Sequence, residues 1–178
     1  MTRDATQITK FVREGYSTYP DAFEAVDLFE TEVHRTIAKV FDEKTPSLRG
    51  VQRRKGNGDV PAPIQKNPRS GRAISAWIPC EPVGDEANVA VALGLIWNAP
   101  KFRAAPVVAY AHYWVGRTTR PVALPADVDS RLKYGPLEKN DHRFYIVVDE
   151  GFELEEGVAL LLDAIDAGIA ASTTTESR

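Results

Sequence analysis

The run VAVALGLIW, Val89 to Trp97, decides how the rest of the chain is read. In an extended chain Val89, Val91, Leu93, Leu95 and Trp97 share one side, and Ala90, Ala92, Gly94 and then Ile96 share the other. The run is far short of the roughly 20 apolar residues that cross a bilayer. A short apolar run rich in Val, with Ile and a closing Trp, reads as a strand. A segment apolar on both sides must be covered on both sides. Because small residues let a backbone approach closely, a helix is expected over the Ala90, Ala92, Gly94 side.

Working outward, AISAWIP (73–79), VVAYAHYWV (107–115) and FYIVV (144–148) are further short runs rich in Val, Ile and aromatics. Pro, Gly or polar residues bound most of them, so four strands are predicted. Connections near ten residues between the first three suit a β-meander, which needs no crossover helix.

Helical periodicity flanks this block. Ile8, Phe11 and Val12 suggest a short helix over 5–14 that stops at Gly15. Phe23, Val26, Phe29, Val33, Ile37 and Val40 recur at spacings of three and four, predicting an amphipathic helix over about 20–43. Ser17, Thr18, Pro20, Asp21 and Glu24 are its start signals. Val158, Leu161, Leu162, Ile165 and Ile169 form the apolar stripe of a last helix over about 154–171. Glu153, Glu155 and Glu156 crowd its positive end. The predicted fold is a two-layer α+β domain. An antiparallel sheet of four or more strands has the N-terminal and C-terminal helices packed on one face. Residues 1–171 would form a single domain and 172–178 a disordered tail.

Bulk composition agrees with a soluble protein of this kind. Of the 178 residues 43% are hydrophobic and 26% charged, and the net charge is −3. That balance makes no global case for nucleic acid or an anionic membrane. The single cysteine, Cys80, excludes an internal disulfide and suits a reducing, cytoplasmic compartment. The start MTRDATQITKF lacks the apolar core of a secretory signal.

Charge is nevertheless segregated. Between Val51 and Arg72, six basic residues and one acid give +5, so the remainder carries −8. Asp21 to Lys44 has seven acids against three bases, and Asp149 to Asp166 has seven acids and no base. The basic stretch also holds three Gly and three Pro, which predicts a long connector. It would neutralise phosphates, capture an acidic protein, or lie on the chain's own acidic helices. Its GNG followed by Asp59 matches no phosphate-binding fingerprint.

Motifs of catalysis are missing. The four strand runs contain no Asp or Glu, so no carboxylates are set on strands to hold Mg²⁺. His34, His112 and His142 are scattered and Cys80 has no CxxC partner, so no zinc site and no cofactor is predicted. Cys80 in IPCEP follows a strand, where a nucleophile could be presented with His112 as its base, but a small half-buried cysteine between two prolines is the better account.

The densest cluster is aromatic and basic. Tyr110, His112 and Trp114 alternate onto one side of the third strand, with Arg117 and Arg120 beyond, and Ser75 and Trp77 would join them if they face the same way. Such a face serves as the second half of the core, as an interface rich in Trp, Tyr and Arg, or as a platform for a planar ligand. Residues 116–142 form a second long connector with Pro121, Pro125 and Pro136.

The expected function is a non-catalytic binding or accessory module that engages a protein or an anionic partner, nucleic acid or polyphosphate. Arg53, Arg54, Lys55, Arg69 and Arg72 would supply charge, and Trp77, Tyr110, His112 and Trp114 the contact platform, with Arg117 and Arg120 at its rim. Two rivals stand beside it. One is an enzyme acting on a nucleotide or nucleic acid with His112 and Arg117, Arg120 or Arg143. The other is a structural homo-oligomer subunit burying the same face. No membrane partner is expected.

Overall fold

The computed structural model of the chain describes residues 15, 18–66, 73–81, 89–97, 107–115, 118–119, 129–138 and 141–175. The helix expected over 5–14 lies outside them. The architecture is α+β, an antiparallel sheet with two helices packed on it, as the periodicities predict.

Helix α1, Tyr19–Lys44, has Pro20 and Asp21 in its first turn and Lys44 in its last. It stops where the Thr45 hydroxyl donates to the Phe41 carbonyl at 2.6 Å and Pro46 removes the next donor, leaving a short 3₁₀ turn, Thr45–Ser47. Helix α2, Leu154–Thr175, carries Glu155 and Glu156 at its positive end and continues past the expected stop at 171. By their contacts the residues divide into two compact units, Met1–Glu32 and Val33–Arg178, with the boundary inside α1.

The strands are β1 (Gln65–Lys66), β2 (Ala73–Cys80), β3 (Val89–Trp97), β4 (Val107–Val115), β5 (Thr118–Thr119), β6 (Lys133–Glu138) and β7 (Asp141–Val147). Their spatial order is β1-β2-β3-β4-β7-β6, with β5 paired to β4, and every pairing is antiparallel. The predicted meander is β2-β3-β4. The run expected over 144–148 begins earlier, at Asp141. Part of the second expected connector is strand β6, KYGPLE, whose Gly135 and Pro136 gave it the composition of a loop. Proline is admitted there because β6 is the outermost strand, and its register with β7 is irregular between Pro136 and Glu138.

Val89, Val91, Leu93 and Leu95 of β3 are buried with Val33, Ile37, Val40 and Phe41 of α1 and with Val158, Leu161, Leu162 and Ile165 of α2. The helices therefore cover the bulky side of β3, and the expectation of a helix over its small side is corrected. Register explains what the small side does instead. Gly94 lies between Ser75 and Tyr110, and Ala92 lies between Trp77 and His112. Small residues in the central strand make room for Tyr110 beside Gly94 and for Trp77 and His112 on the two flanks of Ala92. Ala92, Ile96, Tyr110 and Leu137 form a second buried cluster, with Ala73, Trp77, Tyr145 and Val147 packed against it.

Candidate functional site

The cationic stretch is not a free loop in its first part. Residues 52–54 run along the outer edge of β2. The Arg54 amide donates to the Pro79 carbonyl at 2.8 Å and the Glu81 amide to the Gln52 carbonyl at 2.7 Å. The chain then turns back on itself. The Gly56 amide donates to Val60 and the Ala62 amide to Arg54, both at 2.7 Å, and Gly58 takes the positive φ of 78° that the turn requires. The returning arm reaches β1, where Gln65 and Lys66 pair with Trp77 and Ala76. An edge hairpin thus pairs with the β2 edge from Ala76 to Cys80.

Two acids, Asp42 and Glu81, hold the hairpin in place. Arg53 forms an ion pair with Asp42 of α1 at 2.5 Å, and its Nε donates to the Ala62 carbonyl at 2.6 Å. The Lys55 amide donates to the Glu81 carboxylate at 2.7 Å. Lys55 Nζ lies 3.6 Å from Asp59, a pair so exposed that it contributes little to stability. Arg53 is consequently a fastening, whereas Arg54, Lys55 and Lys66 are exposed to solvent. At the turn, Val60 is 68% exposed. Asp42, Thr45, Gln52, Arg53, Lys55 and Asp59 line an open cleft of about 490 Å³ beside it.

The other expected site residues separate from this surface. The register places Ser75 and Trp77 on the same side as Tyr110 and His112. Tyr110 and His112 are buried, 4% and 2% exposed, and Trp77 is half-buried. The Arg143 guanidinium stacks over the Tyr110 ring at 4.7 Å. Trp114 stands opposite Ala90 and Thr119 in β4. Arg69, Arg72, Arg117 and Arg120 lie outside the described residues.

Burial pushes the Cys80 thiol up to about 12, and its Sγ donates to the Ile78 carbonyl at 3.3 Å, so it carries no thiolate at neutral pH. A second concavity of about 430 Å³ adjoins β7 and the start of α2, with Arg131, Lys133, Asp149, Phe152 and Glu153 in its wall. Arg131 is bound there by Asp129 and Glu156, at 2.9 and 2.6 Å. That hydrogen bonding holds the Asp129 carboxyl down at about 2. Among the described residues no group of three His, Cys, Asp or Glu is placed to hold a metal ion, and no helix is long and apolar enough to cross a membrane.

The hairpin residues Lys66 and Val60 were not among the expected contacts. Lys66 sits in the same basic stretch, and Val60 follows directly on the turn residues GNGD, where an apolar side chain has no core to enter. No protein-family model, no curated protein and no solved structure matches the chain.

Proposed function

We propose that the protein is a non-catalytic binding module whose edge hairpin engages an acidic protein surface. The observation that carries this reading is the pairing of exposed cations with an exposed apolar tip on an anchored element, Arg54, Lys55 and Lys66 with Val60. A binding loop held in shape beforehand loses less entropy on association. The ion pair of Arg53 and the acceptor role of Glu81 supply that anchoring.

Charge distribution favours a protein over a polyphosphate. Asp42, Asp59 and Glu81 interrupt the cations, and a phosphate backbone, one charge after another, would meet these acids as well. A protein surface offers discrete carboxylates and an apolar residue for Val60, the usual mixture at an interface. The buried Tyr110 and His112 take no part in this reading.

The test is fluorescence anisotropy of labelled poly-L-glutamate, with short single-stranded DNA in parallel, at low and physiological salt. The native protein should bind polyglutamate more tightly than DNA. The R54E/K55E/K66E variant should lose about tenfold or more in affinity, an effect that shrinks as salt screens the charges. Absence of polyglutamate binding at low salt would overturn the reading, and tighter binding of DNA would replace the protein partner with nucleic acid.

A further inference from the structure

Among the described residues, the exposed large hydrophobic side chains fall in two places. Phe23, Val26, Leu28 and Phe29 are 53%, 46%, 62% and 48% exposed on the first turns of α1, and Val60 is exposed at the hairpin tip. The two places have opposite charge. Tyr19 to Glu32 contains Asp21, Glu24, Asp27, Glu30 and Glu32 and no base. The hairpin presents Arg54, Lys55 and Lys66. Each surface thus combines exposed apolar side chains with charge, wholly acidic on the helix stretch and predominantly basic on the hairpin, where Asp59 is the acid.

We propose that the stretch Tyr19–Glu32 of one copy docks on the edge hairpin of a second copy, and that two such contacts close a reciprocal dimer. This rests on reading the hairpin as a surface for an acidic, apolar protein partner, and it names that partner as the chain itself. Like pairings are disfavoured. Two copies of the helix stretch would set acids against acids, and two hairpins cations against cations. Only the unlike pairing joins both the charges and the apolar residues. One helix stretch on one hairpin is small beside the roughly 1,200–2,000 Å² buried by stable interfaces. Closure by a two-fold axis doubles the contact and leaves no open surface to propagate a chain.

The experiment is sedimentation equilibrium of the full chain across a wide concentration range at low salt, with circular dichroism to verify folding. The native chain should exceed its 19.6 kDa monomer mass and approach twice that value as concentration rises. Two variants, R54E/K55E and E24K/D27K, should each weaken the dimer about tenfold or more when alone. Mixed, they should recover a one-to-one dimer, because each reversed surface then meets its complement on the other variant. Persistence of a full-strength dimer in either variant alone, or failure of the mixture to recover it, would overturn the pairing. A native chain that stays monomeric yet binds polyglutamate through Arg54 and Lys55 would overturn the dimer and leave the proposed function standing. A monomer without such binding would remove both.

Discussion

Gly94 shows how one residue fixes the use of a whole sheet face. A Cβ built there would collide with the Ile74 carbonyl oxygen and would lie 2.6 Å from the Ser75 Cβ. Backbone in a central strand cannot yield to such a collision without disturbing its hydrogen-bond ladder. The G94A variant should therefore lose about 1–3 kcal/mol, read as a lower urea midpoint with an unchanged slope. A midpoint equal to that of the native chain would show that the sheet relaxes around the methyl group. Gly94 could be assigned to the small side of β3 from its alternation alone. That its neighbours would be Ser75 and Tyr110 followed only once the strands were registered. His112 teaches a related lesson. Its position beside two aromatics made it a candidate contact, but sequence does not report burial, and the residue is 2% exposed.

At the scale of elements, the acids of α2 have specific employment. Glu155 pairs with Lys39 and Asp163 with Lys44, joining α2 to α1 through exposed or partly exposed groups of modest individual worth. Asp166 does more. Its Oδ1 accepts the amides of both Arg49 and Gly50, at 2.6 and 2.5 Å, and so holds the chain where it leaves α1 for the hairpin. Removing it strands two donors, one of them partly buried, so D166A should cost about 1–3 kcal/mol. D166N keeps an oxygen acceptor and should cost clearly less in the same denaturation measurement. Equal losses would mean that charge, not the acceptor, is what matters. The long helices and four of the strands, β2, β3, β4 and β7, were legible because their apolar patterns are sustained over several residues. Strands β1 and β5, two residues each, and β6, with Gly135 and Pro136, were not. Short edge strands are selected by a neighbour's unsatisfied backbone, a property that lies outside their own composition.

For the molecule as a whole, the boundary inside α1 has a measurable consequence. Residues 18–29 are exposed wherever their side chains are described, while Val33, Ile37, Val40 and Phe41 of the same helix are buried. Within α1, the described buried apolar side chains therefore begin at Val33. A chain beginning at Val33 should retain the circular dichroism of the sheet and shift its midpoint of thermal unfolding by only a few degrees, because the described α1 side chains it loses up to Phe29 are exposed. Loss of cooperative unfolding in that truncated chain would show that Met1–Glu32 is needed to complete the core. The sequence by itself determined the α+β class, the antiparallel central strands, both helices and the segregation of charge, since each is written in local spacing or composition. It also placed the cations of the candidate surface in one stretch. Only the tertiary structure decided which side of β3 the helices cover, that Arg53 is a fastening on Asp42, and that Val60 is left at an exposed tip. It also decided that the apolar stripe of α1 is covered along one half and exposed along the other. The physical reason is common to all four. A periodic pattern states that a face can be buried, but the partner that buries it comes from distant parts of the chain, through register and packing that no local window contains.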